Sequence, residues 1–281
     1  MIQREHTPSQ SAQDGFDIAA SIVTFHTDPD ELVRLVTSLQ KTPLRVGVTV
    51  VDNSPTDILR APAVQAGATY VHTGSNLGYG RAHNLALRRT LNLAPYQVVV
   101  NPDIVLNQDT LQHLYDFMQQ NPGVGQVMPS ILNPDGSEQR LTKRLPLPTD
   151  LFLRRFLGGF ARKLASQRSA RYEMRDIDLS RPHDVPCLSG CFMFLRSSVL
   201  KEIGLFDERF FMYMEDVDLC RRIGSRSRTV YFPDTFLFHG YTKGSYKNLN
   251  LALAHLQSAL KYFSKWGWIF DRERTRRNSQ V

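Results

Sequence analysis

Over the first 130 residues, nearly unbroken apolar runs alternate with segments whose apolar residues recur every three or four positions. Ile18 to Phe25 (IAASIVTF) is a strand that needs cover on both faces, because it has no polar side to give to water. Asp28 and Pro29 then stand where a helix N-cap and first-turn proline belong, and Leu32, Leu35, Val36 and Leu39 follow at helical spacing. The same reading predicts strands at 46–51, 68–72, 96–100 and 124–128, a helix opened near Gly80, and another over 110–120. Strand, helix, strand in this rhythm implies βαβ units: a mostly parallel, Rossmann-like sheet with helices on both faces. Such sheets take ligands at the carboxyl ends of their strands.

The second half is less regular, with a strand at 191–195, a helix opening near Glu215, a strand at 229–232 and a long helix from about Asn248. Four stretches result: a polar, disordered leader over 1–16, a regular α/β half over 17–130, a less regular half over 131–247 that includes a basic segment at 140–175, and a C-terminal amphipathic helix with a basic tail over 248–281. At 281 residues, 42% hydrophobic and 22% charged, the chain can bury one large core, which excludes fibrous and repeat classes. No apolar window is long enough to cross a bilayer, and the start MIQREHTPSQSAQDG lacks a signal peptide's apolar core, so a cytoplasmic protein is expected. Cys187, Cys191 and Cys220 form no C-x-x-C pair and read as small buried hydrophobes.

Polar residues gather at the predicted strand ends. Thr24 and His26 follow the first strand. Asp52, with Asn53 and Ser54, follows the second, where a carboxylate suits a ribose hydroxyl or a pyrimidine imide, or alternatively caps a turn. Asn76 to Asn84 (NLGYGRAHN) brings Gly78 and Gly80 to a helix start, where backbone can approach a phosphate, although the segment is not a G-x-G-x-x-G fingerprint. Asn101-Pro102-Asp103 sets one carboxylate after VVV. One such oxygen donor suffices for a hard divalent cation whose shell is completed by a diphosphate and water, the rival reading being a simple turn. His239, in FLFHGYTKGS, is a candidate second ligand or a structural histidine. In FFMYMEDVDLC, Glu215 and Asp216 follow an apolar run at a helix start. There they could act as a base beside an apolar pocket, or could simply favour the helix N-terminus electrostatically.

Taken in order and spacing, VVDNS, NLGYGRAHN, VVVNPDI, SGCFMFLR, GLFDERFFMYMEDVDLCRR and His239 with the residues after it resemble family-2 glycosyltransferases of the GT-A fold, in particular the bacterial rhamnosyltransferase-like branch. The resemblance spans about residues 18–245. It implies an inverting, metal-dependent sugar transferase. Thr24, Asp52 and Asn53 would hold the nucleoside, and Asn76, Gly78 and Asn84 would line the donor pocket, with His26, Gly80 and Asn101 in the same cradle. Asp103, with His239, would bind Mg2+ or Mn2+. Asp216 matches the family's general base, with Glu215 as the fallback. The family's Asp-x-Asp is here Asn101-x-Asp103, which leaves a single carboxylate. The implied donor is a nucleoside diphosphate sugar, dTDP-L-rhamnose before a UDP-hexose or UDP-N-acetylhexosamine. The implied acceptor is a glycan or glycolipid precursor such as lipopolysaccharide core or lipid-linked O-antigen. A non-catalytic glycan- or nucleotide-binding protein is the alternative of another class.

Charge bears on location. The net +7 is concentrated: residues 140–175 carry ten Arg and Lys against two acids, and 261–281 carry six against two. Leu153, Leu157, Phe160 and Leu164 form an apolar stripe in the first segment. Ala252, Leu256, Ala259, Phe263, Trp266 and Phe270 form one in the last helix, with Trp268 beside an Arg-rich tail. The pattern predicts peripheral binding to the anionic inner face of the cytoplasmic membrane, against packing on the protein itself or across a homodimer. Nucleic acid is not an expected partner.

Overall fold

The computed structural model describes residues 15–151, 169–240 and 249–281. The leader up to residue 14 and the Leu153–Leu164 stripe lie outside the described residues.

The chain builds one sheet in the order β3-β2-β1-β4-β8-β6-β9-β5, with β7 also paired to β9. Strand β1 (Ile18–Thr24) lies between β2 (Val46–Asp52) and β4 (Tyr96–Val100), parallel to both, and β3 (Thr69–His72) extends the parallel set beyond β2. Helices α1 (Pro29–Gln40), α2 (Arg60–Gln65) and α3 (Tyr79–Thr90) connect these strands. The Asp28 carboxylate accepts from the amides of Asp30 (2.8 Å) and Glu31 (3.3 Å), and Leu32, Leu35, Val36 and Leu39 are buried on the sheet.

Beyond β4 the connections become longer and strand directions change. β5 (Ile104–Leu106), α4 (Thr110–Gln120), β6 (Val124–Leu132), β7 (His183–Asp184), β8 (Phe192–Arg196), α5 (Ser197–Ile203), α6 (Glu215–Ile223) and β9 (Arg228–His239) complete this half. β8 is antiparallel to β4 and β6, and β9 is parallel to β6 but antiparallel to β5 and β7. The sheet is therefore mixed rather than mostly parallel: the βαβ rhythm governs only the first four strands of its path. β5 and β7, at three and two residues, are too short to leave a period in the sequence. β9 is longer than expected, because 233–239 continue the strand past a register shift opposite Pro129 and Ser130.

The C-terminal segment is two helices joined by a turn, not one helix with a loose tail. α7 (Leu249–Trp266) stops at Gly267, whose φ of 102° is left-handed, and α8 (Arg272–Asn278) follows with Asp271 as its N-cap. Ala259 and Phe263 of the predicted stripe are buried in the protein, and Trp266 stacks under the Arg221 guanidinium, 4.1 Å from its ring centre. Arg274 and Arg277 of the tail are buried as well. Among the described residues no helix is long and apolar enough to cross a membrane. All three cysteines are buried free thiols.

Candidate active site

Strand pairing accounts for the position of Asp103. β5 pairs antiparallel with the end of β9, Ile104 opposite His239, and the Gly240 amide donates to the Asp103 carbonyl (3.0 Å). The two side chains meet: His239 Nε2 lies 3.3 Å from Asp103 Oδ2. On its other side the imidazole is fixed by Gln139, whose Oε1 is 3.0 Å from Nδ1 and whose amide donates to the His239 carbonyl (2.9 Å). A carboxylate and an oriented imidazole side by side fit a divalent cation whose remaining ligands come from a diphosphate and water. Among the described residues no group of three His, Cys, Asp or Glu assembles, so those residues alone offer no closed cage. A cavity of about 390 Å³ opens beside Asp103, lined also by Glu31, Arg34, Val105, Pro134 and Gly240. Burial, and secondarily the charge of Asp103, pushes the Glu31 carboxyl above its usual range.

Asp216 reaches the same region by another route. It sits in the first turn of α6, half-buried, and its Oδ2 accepts the Gly190 amide at 3.0 Å. A side chain at position 190 would collide with Asp216 itself. The neighbouring Cys191 carbonyl accepts from the Asn101 amide (2.9 Å), so the Gly190–Cys191 backbone joins the Asp103 turn to the Asp216 helix. Tyr79 completes the link by donating to the Gly190 carbonyl (2.5 Å). Burial first, then Cys191, Glu215, Asp216 and Asp103, holds the Tyr79 phenol well above its ordinary value. Burial, with smaller contributions from Asp103 and Asp216, pushes the Cys191 thiol to about 12. Both carboxylates therefore act on the same two groups.

Glu215 differs from its neighbour. It is buried, its Oε2 has no partner, and burial together with Asp216 raises its carboxyl well above the usual range. Immediately before it, Tyr213 (φ 69°) and Met214 (φ 68°) are both left-handed, a conformation that costs bulky residues roughly 1–3 kcal/mol each. The surrounding packing fixes this turn: Ser258 of α7 donates to the Met212 carbonyl (2.8 Å), and the Tyr79 amide donates to the Phe211 carbonyl (2.9 Å). Gly78 (φ 84°) has to be glycine here, since a Cβ would overlap that same Phe211 carbonyl.

The residues expected to hold the donor converge at the ends of β1 and β2, but mostly bind one another. Thr24 and Asp52 have 0% exposure; Asp52 Oδ1 accepts from Thr24 Oγ1 (3.0 Å) and the Ser54 amide (2.9 Å), and Oδ2 accepts from Tyr70 (2.6 Å). The His26 amide donates to Ser54 Oγ (2.9 Å), while its ring is exposed. The Asn53 amide bonds to Asn76 Oδ1 (3.4 Å) and the Gly78 carbonyl (3.2 Å), and Asn76 Oδ1 also accepts the Gly78 amide (2.9 Å). Asn84 is buried and ties α3 to Phe206 and Glu208, while Gly80 packs on Phe206. Asn101 is half-buried at the cleft. The sequence reading missed Tyr70, Gln139, Gly190 and the Tyr79 hydroxyl. Tyr79 and Gly190 lay inside motifs already singled out, whereas nothing in the sequence marks Gln139.

Two sets of residues thus meet across one short backbone segment, and the family description "Glycosyl transferase family 2" matches residues 21–204. The chain belongs to glycosyl transferase family 2. This glycosyltransferase is 31% identical over 236 residues to the N-acetylglucosaminyl-diphospho-decaprenol L-rhamnosyltransferase of Mycobacterium tuberculosis (strain ATCC 25618 / H37Rv), an alignment covering 79% of this chain and 76% of the relative. It is 22% identical over 253 residues to Rhamnosyltransferase WbbL of Escherichia coli (strain K12), covering 87% and 92%. In fold it is similar to a solved structure of GalNAc-T7 with UDP, GalNAc and Mn2+ (TM-score 0.63, 13% identity), 91% of this chain matching 49% of that one. It is also similar to the mannosyltransferase PcManGT from Pyrobaculum calidifontis in complex with GDP-Man and Mn2+ (TM-score 0.57, 17% identity, 92% and 68% covered). The fold of this family-2 enzyme is GT-A.

Proposed function

We propose that this glycosyltransferase moves L-rhamnose from dTDP-L-rhamnose, with inversion, onto a hydroxyl of a bacterial cell-surface glycan precursor such as lipopolysaccharide core or lipid-linked O-antigen. The names of both relatives support rhamnose as the sugar, and that of the Mycobacterium tuberculosis relative supports a lipid-linked acceptor. The observation that supports the chemistry is that the Gly190–Cys191 backbone binds both Asp216 and the Asn101 amide, two residues before Asp103, whose carboxylate lies beside His239.

Asp216 takes the proton of the acceptor hydroxyl as its oxygen bonds to the anomeric carbon and the bond from that carbon to the diphosphate breaks. Glu215, the fallback, is less suited to that role, because it is buried and burial together with Asp216 raises its carboxyl well above the usual range. Asp103 and His239 would hold Mg2+ or Mn2+, which when bound offsets charge on the departing nucleoside diphosphate. Asp52 and Asn53 hold the β2 end in shape for the nucleoside, and the exposed His26 ring stands over the same edge.

Thermal shift with dTDP-L-rhamnose, UDP-glucose and UDP-N-acetylglucosamine, each with and without Mg2+ or Mn2+, tests the donor. Release of nucleoside diphosphate tests turnover. The proposal expects metal-dependent stabilisation and release with the rhamnose donor, and a product of inverted configuration by NMR. Stabilisation only by a UDP-sugar would replace the donor, and retained configuration would remove Asp216 as a direct base.

A further inference from the structure

The turn between α7 and α8 exposes three consecutive large apolar side chains: Trp268, Ile269 and Phe270 are 40%, 78% and 94% exposed. Their outward position is not the result of a loose loop. The buried Arg274 guanidinium donates to the carbonyls of Gly267 (3.5 Å), Trp268 (3.3 Å) and Ile269 (3.0 Å), and the Gly267 amide donates to Phe263 (2.8 Å). A Cβ at Gly267 would sit 2.8 Å from the Phe270 carbonyl, so glycine permits this turn. Trp268 leans on Phe263 with ring centres 5.3 Å apart, and Asp271 caps α8 by accepting the Arg274 amide (3.0 Å). The turn is built, and its apolar tips are left in water.

We propose that the Trp268–Phe270 turn inserts into an anionic lipid surface. The inference rests on the reading that the acceptor is carried by a membrane lipid, and it moves the contact from the buried stripe of α7 to this turn. The area favours lipid over a second copy: three such side chains at these exposures offer roughly 400 Å², about half of what each partner gives to a stable protein interface. Charge points the same way. Arg272 and Arg276 beside the turn are exposed, whereas the nearest acid, Asp271, is buried against Arg221. Insertion would also orient the catalytic helix. Lys265 and Trp266, next to the turn, bond to Asp218 (2.6 and 2.8 Å), two residues after Asp216.

The test is co-sedimentation of the full chain with vesicles of phosphatidylethanolamine and phosphatidylglycerol, comparing wild type with the double variant Ile269→Ser/Phe270→Ser. Because these side chains are outside the core, the variant should keep the wild-type Tm. Vesicle affinity should fall about tenfold or more, and lipids brominated in the acyl chain should quench wild-type tryptophan fluorescence. Equal binding by both proteins would overturn the proposal in favour of the basic surface alone. Absence of vesicle binding would also overturn it, and self-association of the wild type lost in the double variant would assign the turn to a contact between copies. Nucleoside diphosphate release in solution should be unchanged in the double variant. A wild-type chain that releases nucleoside diphosphate but does not bind vesicles would therefore sink this inference alone, whereas normal vesicle binding without release from any sugar donor would sink the transfer reading alone.

Discussion

Asp52 and Glu215 are both almost fully buried carboxyls, yet each Asp52 oxygen has a hydrogen-bond donor and Glu215 Oε2 has none. The contrast extends to their surroundings. At the ends of β1 and β2, Thr24, Asp52, Asn53, Asn76 and Gly78 satisfy one another. Around α6, the chain holds two consecutive left-handed residues and a buried carboxyl, Glu215, whose Oε2 has no partner, beside the half-buried Asp216. The difference separates two tasks. The edge at β1 and β2, the proposed donor side, is a cradle whose polar groups maintain its shape, whereas the α6 edge, where the proposed base stands, keeps one buried oxygen without a partner and two strained residues held in place by packing.

The largest expected effect falls on the α6 side. Asp216→Asn should keep the fold and lower turnover by about 10²- to 10⁴-fold, the usual cost of removing a positioned base. Wild-type kcat with an unchanged pH profile would mean that the under-satisfied edge is structural. Next, Arg221→Ala tests whether the two C-terminal helices are needed to hold that edge. Arg221 binds Asp271 through two 2.6 Å bonds, both side chains being 2% exposed. Removing it leaves the buried Asp271 carboxylate with only the Arg274 amide and a 3.8 Å approach of the Arg274 guanidinium, and should cost about 3–5 kcal/mol in a denaturation experiment. A cost below 1 kcal/mol would show these helices to be only loosely attached.

Most of the parallel half of the sheet was legible, because a strand covered on both faces must be apolar throughout and its helices must show a periodic stripe. The limits of β1, β2, β3 and β4 agree with the predicted runs to within one residue. The antiparallel half was harder to read: β5 and β7 carry too few residues for a pattern, and β9 bends through Pro233 and Asp234 before regaining the ladder. The C-terminal stripe was seen but its direction was not. Periodicity shows that a helix has an apolar face, but not whether protein or lipid covers it. Arg274 and Arg277 read as a basic tail because the sequence does not reveal that their guanidinium groups bond to carbonyls of the α7–α8 turn and the α6 end. At the site, the residue types were legible but their partners were not, since Gln139 meets His239 from 100 positions away.

That distant contact supports a smaller prediction. Gln139→Ala removes the group 3.0 Å from His239 Nδ1 while leaving Asp103 and His239 in place. The concentration of Mn2+ needed for half-maximal turnover should rise about 10- to 100-fold, with kcat at saturating metal close to wild type. A fall in kcat at unchanged metal requirement would make Gln139 part of the sugar pocket instead.

His83 is the exception within the satisfied cradle, and it gives the mildest test. Its Nδ1 is 2.7 Å from Ser21 Oγ, but its Nε2 is buried without a partner beneath Tyr79 and Phe206. Burial depresses its value from 6.5 to about 3. Between those two pH values the unfolded chain takes up a proton that the folded chain refuses. The contribution of His83 is therefore complete above pH 6.5 and shrinks as the pH falls, by about 1.4 kcal/mol per pH unit. In urea titrations from pH 7 down to pH 5, wild type should lose stability more steeply than His83→Gln, which carries no such proton. Parallel curves would mean that water or a shifted neighbour satisfies Nε2, and that the cradle has no unsatisfied group after all.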